Sequence, residues 1–138
     1  MNQDPLQAQG KTLGKQLLVE LSGCHGGMLD STALVERCLV EAVREAKATV
    51  VQTVFHRFSP YGVSGVVVIA ESHVAIHTWP EHGYAAVDIF TCSEQIDPYS
   101  IMKSLARKFS ARQHSATLIH RGPHPMPQVA ASAARHKS

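Results

Sequence analysis

The sequence predicts an α+β fold, a two-layer sandwich in which a mainly antiparallel sheet carries helices on one face. Three observations point there. The hydrophobic patterns run strand, helix, several strands, helix, strand, an order that packs helices onto one side of a sheet. Each half of the chain pairs one helix with strands. The 138 residues, 44% of them hydrophobic and 17% charged, make one domain with an ordinary apolar share for a packed core. A domain of this size buries roughly 68% of the surface its unfolded chain exposes, so a core forms without disulfides or metals. Such a sheet leaves its other face or an edge free, which favours pairing of two copies into four layers.

Residues 1–13 are polar and are expected to be loose. Residues 16–21 (QLLVEL) read as a short buried strand, closed by Ser22-Gly23 and the turn pair Gly26-Gly27. A helix follows from Asp30, with Asp30 or Ser31 as its cap. Leu34, Val35, Cys38, Leu39, Ala42 and Val43 recur on one side of it, opposite Glu36, Arg37, Glu41, Arg44 and Glu45. Residues 48–58 (ATVVQTVFHRF) are rich in β-branched side chains and read as a strand, broken by Ser59-Pro60 and Gly62. Residues 65–70 and 73–79 are two more strands joined across Glu71-Ser72, and residues 84–91 are another. Asp97-Pro98 starts the second helix, with Ile101, Met102, Leu105 and Phe109 on its apolar face. Residues 116–120 form the last strand, and the proline-containing stretch after it is expected to be mobile.

Composition also narrows the function. Thirteen Lys and Arg against eleven Asp and Glu leave a formal charge of +2, dispersed along the chain and not interleaved with aromatics, so nucleic-acid binding has no compositional support. The longest purely apolar run, residues 66–70, is far short of the ~20 residues that cross a bilayer. The polar start, MNQDPLQAQGK, lacks the apolar core of a secretion signal. The expectation is a soluble cytoplasmic protein without a membrane partner. Three cysteines, Cys24, Cys38 and Cys92, give neither a disulfide framework nor a CxxC metal site. Cys24 and Cys38 read most simply as a loop thiol and a helix core residue, and His114, His120, His124 and His136 as surface or tail positions.

Chemically capable residues are densest between Ser64 and Cys92: Ser64, Glu71, Ser72, His73, His77, Glu81 and Cys92. If Val74, Ile76 and Thr78 share one strand face, His73, Ala75, His77 and Trp79 share the other. His73 and His77 then stand about 13 Å apart, too far to ligate one metal. From the residues alone three readings stay open: a zinc site using histidines and Cys92, a nucleophilic pair of Cys92 and His77, and a structural hairpin with incidental histidines. Singly, Ser64 can be a turn residue, His77 a satisfied strand histidine, Cys92 a buried strand-end thiol, Phe58 core packing and Glu81 a solvated loop carboxylate.

The stretch FSPYGVSGVVVIAESHVAIHTWPEHGYAAVDIFTC, residues 58–92, closely resembles the prokaryotic S-adenosylmethionine decarboxylase proenzyme family. The similarity extends over residues 12–121, including LGKQLLVELSGC and both helices. The resemblance implies an enzyme that makes its own prosthetic group. The serine of the ESH motif, here Ser72, attacks the carbonyl of Glu71, an N-to-O acyl shift gives an ester, and β-elimination then leaves a dehydroalanine that hydrolyses to pyruvoyl and ammonia. Such a serine is expected at a strained turn. The products would be a β chain of residues 1–71 and an α chain of residues 72–138.

By the same resemblance His77 accepts a proton during processing and Ser64 helps steer the acyl shift. The pyruvoyl carbonyl then takes the substrate amine as a Schiff base and serves as electron sink, with no metal and no pyridoxal phosphate. Cys92 protonates the carbon that carbon dioxide leaves, a role a thiol suits because it ionises near working pH. Phe58 would stack on adenine, and Glu81 would accept hydrogen bonds from the ribose diol. The implied product is the aminopropyl donor for spermidine synthesis, and the implied assembly is a homodimer with its sites at the interface. The related alternatives are an arginine or ornithine decarboxylase on the same scaffold and an uncleaved, non-catalytic homologue. One departure stands out: Gln16 occupies a position where the family commonly carries histidine, with no consequence for catalysis expected.

Overall fold

The computed structural model describes residues 12–70 and 72–122. In chain order the elements are β1 (Gly14–Ser22), α1 (Gly26–Leu29), α2 (Thr32–Glu45), β2 (Val50–Arg57), β3 (Val63–Ile69), β4 (Ser72–Trp79), a 3-10 turn (Pro80–His82), β5 (Tyr84–Thr91), α3 (Pro98–Lys108) and β6 (Gln113–Arg121). The strands form one six-stranded sheet in the order β2-β3-β4-β5-β1-β6, and every neighbouring pair is antiparallel. The first and last strands are therefore neighbours, and β1 lies inside the sheet.

Strand alternation sorts the side chains. Leu17, Val19 and Leu21 of β1, Val67 and Ile69 of β3, Val74 and Ile76 of β4, and Ala85, Val87 and Ile89 of β5 are buried on one face. Against them lie Val35, Leu39 and Val43 of α2 and Ile101 and Leu105 of α3, with Phe109 beyond the end of α3. Each of these side chains larger than alanine contributes about 1.5–3 kcal/mol on leaving water, and these contacts bind the helix layer to the sheet. Helix α2 lies over β2 and β3, and α3 over β1 and β5. The two helices are stitched together by Ser104 Oγ donating to Glu45 Oε1 at 2.7 Å, and by Lys108 Nζ reaching Glu45 at 3.0 Å and Glu41 at 3.3 Å. The expected sandwich is thus the observed one.

The caps act as the sequence implies. Ser31 Oγ accepts from Leu34 N, and Asp97 Oδ1 accepts from Tyr99 N with Pro98 in the first turn. Boundaries differ where tertiary contacts intervene. The Gly26-Gly27 pair, expected to close a strand as a turn, begins the short helix α1, because Leu29 at its end is drawn into the core. β2 is shorter than expected, as Lys47 at φ 69° reverses the chain after α2 and a bulge interrupts pairing between Val50 and Gln52. β6 is longer, since β1 pairs with it along its whole length. Of the segments expected to be loose, 1–13 and the stretch after residue 120, residues 1–11 and 123–138 lie outside the described residues, and Arg121 is the last residue of β6. Among the described residues no helix is long and apolar enough to cross a membrane.

Candidate active site

The face of the sheet away from the helices carries a row of functional side chains. Register aligns His56 of β2 with Ser64 of β3, His77 of β4, Ala86 of β5 and Glu20 of β1. Ser64 Oγ and His77 Nδ1 lie 2.8 Å apart, a hydroxyl and an imidazole within reach for proton exchange. Beneath them, Thr78 Oγ1 accepts from Val63 N at 2.8 Å and donates to Leu29 O at 2.7 Å, which fixes this end of the β3-β4 pair to α1.

Phe58 follows β2 at the same end of the sheet. It is 48% exposed, which sets aside the reading of it as core packing. The imidazole of His56 meets its ring edge-on, with centroids 4.6 Å apart. Asp30 braces the loop behind it, accepting from Gly62 N at 2.8 Å and from Arg57 Nη2 at 2.7 Å. Those bonds, the Gly62 N–H first and Arg57 next, hold the Asp30 carboxyl below the usual carboxylate range. Gly62 sits at φ 112°, a conformation that side chains rarely adopt. Glu81 lies exposed in the 3-10 turn just past Trp79. Phe58, Ser64, His77 and Glu81 are therefore gathered at one end of the sheet.

Ser72 opens β4 at the other end. It pairs with Ile69 and Thr91 as a strand residue, which corrects the expectation of a strained turn at this position. Ser72 Oγ donates to the buried Thr91 Oγ1 at 3.1 Å. Cys92, the next residue along from Thr91, is exposed, so the reading of a buried strand-end thiol does not hold. Glu71 lies outside the described residues. Beside Ser72 is a cavity of about 380 Å³ lined by Gln16, Ser72, His73, Phe90 and Arg121. His73 stacks on Phe90 at 5.7 Å and 5°, and Arg121 Nη1 donates to Gln16 Oε1 at 2.7 Å.

The predicted residues thus fall into two groups. His77 stands five positions along β4 from Ser72, about 16 Å away at strand rise. Cys92 lies six positions past Ala86, the β5 partner of His77, about 20 Å along the ladder. A nucleophilic pair of Cys92 and His77 does not form within one chain. Among the described residues no three His, Cys, Asp or Glu side chains come together as metal ligands. Cys24 and Cys38 are both buried, which pushes their thiols up and leaves them inert.

Gln16 and Arg121 are not legible as cavity residues, although Gln16 stands out in the sequence as a departure from the resembled family. Only the β1-β6 pairing brings them together. Thr91 carries no sequence signal beyond its place before Cys92.

Comparison with known proteins identifies the family and the fold. A family described as S-adenosylmethionine decarboxylase matches residues 15–122. The S-adenosylmethionine decarboxylase proenzyme of Acetivibrio thermocellus is 51% identical over 110 residues, 80% of this chain and 89% of that protein. That of Moorella thermoacetica is 50% identical over 121 residues, 88% of this chain and 97% of its own. The crystal structure of adenosylmethionine decarboxylase from Aquifex aeolicus superposes with a TM-score of 0.76 at 32% identity, covering 87% of this chain and 99% of that one.

Proposed function

The chain belongs to the S-adenosylmethionine decarboxylase family, and from that premise we propose that it decarboxylates S-adenosylmethionine with a pyruvoyl group made from its own Ser72. Cleavage between Glu71 and Ser72 would leave chains 1–71 and 72–138. The single observation that carries this reading is the placement of Ser72: its hydroxyl is anchored on Thr91 beside a cavity, one residue's step from Cys92. A half-buried serine at a strand start with its hydroxyl held fits a residue destined to become the prosthetic group. When formed, that group supplies an electron sink for the loss of carbon dioxide. The chain's own residues do the rest. Cys92 delivers the proton to the carbon that the carboxylate leaves. Phe58, exposed and flat, stacks on the adenine, and Glu81 accepts from the ribose hydroxyls. Ser64 and His77 exchange protons during cleavage.

The separation of the two groups supports a homodimer. One copy leaves Ser64 and His77 about 16 Å from Ser72, too far to act on one bond. Two copies packed through their open sheet faces, about a two-fold axis, bring the Ser64–His77 end of each onto the Ser72 end of the other. The helices then lie outside, and the assembly has four layers. A cytoplasmic location is part of the same proposal. The proenzyme relatives near 50% identity favour adenosylmethionine over arginine or ornithine.

Intact mass measurement of the purified protein tests the reading. Two chains that meet at the Glu71-Ser72 bond, with the second lacking a free amino terminus, are expected. An uncleaved chain of 15.0 kDa that decarboxylates the substrate would overturn it.

A further inference from the structure

We propose that Thr91 is the positioning residue for chain cleavage: its side-chain hydroxyl aims the Ser72 hydroxyl and at the same time fixes the turn that carries Cys92. The inference rests on the reading of Ser72 given above. Thr91 is 1% exposed and sits opposite Ser72 in the β4-β5 ladder. A hydroxyl has one hydrogen to donate and two lone pairs to accept with. Thr91 uses all three: it donates to Ser93 O at 3.3 Å, accepts from Ser93 N at 3.0 Å, and accepts from Ser72 Oγ at 3.1 Å.

Two consequences follow from that arrangement. The Ser72 hydrogen is directed at Thr91, so the rotation of the hydroxyl is set and its lone pairs are left for attack on the preceding carbonyl carbon. Cys92 lies between the two residues that the Thr91–Ser93 bonds tie together, so the same hydroxyl holds its backbone. Thr91 is β-branched and buried, hence stiff in its χ1 angle, as an aiming group requires. In the acyl shift the bond from Ser72 Oγ to the Glu71 carbonyl carbon forms and the Glu71–Ser72 C–N bond breaks. The Ser72 hydroxyl proton ends on the freed Ser72 nitrogen. Thr91 is unchanged by the step and acts neither as acid nor as base.

The test is the time course of chain cleavage on denaturing gels for the full-length protein, Thr91→Val, Thr91→Ser and Thr91→Ala. Thr91→Val keeps the shape and loses the hydroxyl; Thr91→Ser keeps the hydroxyl and loses the methyl. Thr91→Val and Thr91→Ala are expected to cleave at least about tenfold more slowly, the cost of one hydrogen bond to the reacting group. Thr91→Ser is expected to stay within about threefold of the parent, on the same principle. Thermal melting identifies variants that fail to fold, and Thr91→Ala avoids setting a second methyl against Ser93 N. The pH profile of cleavage is expected to keep its shape in Thr91→Val, because Thr91 does not titrate. Parent-like cleavage in folded Thr91→Val or Thr91→Ala overturns the proposal while leaving the role of Ser72 intact, as does equal slowing in Thr91→Ser. A parent protein that never cleaves overturns the reading of Ser72 and this role with it.

Discussion

Ser64 Oγ and His77 Nδ1 lie 2.8 Å apart across β3 and β4, at the opposite end of β4 from Ser72. A single copy therefore holds the Ser64–His77 pair apart from Ser72, the serine at which cleavage is proposed. If each site joins the Ser72 end of one copy to the Ser64–His77 end of the other, Ser72→Ala and His77→Ala, each uncleaved alone, rebuild one working site in a mixed dimer. Random pairing of the co-expressed variants yields cleavage of about a quarter of the total chains. Gel analysis of co-expressed and singly expressed variants checks this, and absence of cleavage in verified mixed dimers contradicts it.

Gly65 lies in β3, the strand that leads to the proposed cleavage site, and a Cβ built on it falls 2.0 Å from Phe55 Cδ2. The ring of Phe55 covers the glycine from the neighbouring strand, where the two are register partners. Gly65→Ala forces that ring aside and is expected to destabilise the fold by about 1–3 kcal/mol. Thermal melting of Gly65→Ala beside Gly65→Ala/Phe55→Leu gives the check, since the smaller side chain restores part of the loss.

Tyr84 donates a hydrogen bond to Glu20, and that bond, with burial and the charge of Glu20 behind it, pushes the phenol up to about 12 from its ordinary 10.0. The folded pKa exceeds the unfolded one, so the stability it contributes is complete below pH 10 and is lost as pH rises from there to about 12. Phenolate absorbance on titration is expected to show a late component that disappears in Tyr84→Phe and moves down in Glu20→Gln.

Asp30 behaves in the opposite sense. Its carboxyl is held below its ordinary 3.8 by the Gly62 N–H and then Arg57, so its contribution is present above that value and is lost as pH falls through the lower folded one. The loop it braces leads from Phe58 to β3. Asp30→Ala is expected to raise KM for the adenosyl substrate with kcat little changed, and to remove part of the acid sensitivity of melting. An unchanged KM would separate Phe58 from substrate binding.

Much of this architecture was legible in the residues because it depends on local period. The strand at Tyr84–Thr91 was read to its boundaries from alternation between turn signals, and Asp97-Pro98 announced α3 by its capping chemistry. Asp30 shows the limit of such reading. It stands beside Ser31 as an equal candidate for the cap, yet Ser31 caps α2 and Asp30 reaches across to Gly62. The site was legible as a set of residues and not as a geometry. Resemblance named Ser64, Ser72, His77 and Cys92, but only the register shows that they belong to opposite ends of the sheet. Gln16 and Arg121 are 105 positions apart and meet because the first and last strands pair, a long-range fact without a short-range pattern. Thr91 looked like the end of an apolar strand; its use of every hydrogen-bonding site is a product of tertiary structure.

The most direct measurement of the central claim is release of labelled carbon dioxide from carboxyl-labelled S-adenosylmethionine by the purified protein, with Ser72→Ala as control. Release by the cleaved parent and none by the uncleaved variant is the expected result. Release by Ser72→Ala, or none from a parent already divided into two chains, would contradict the account.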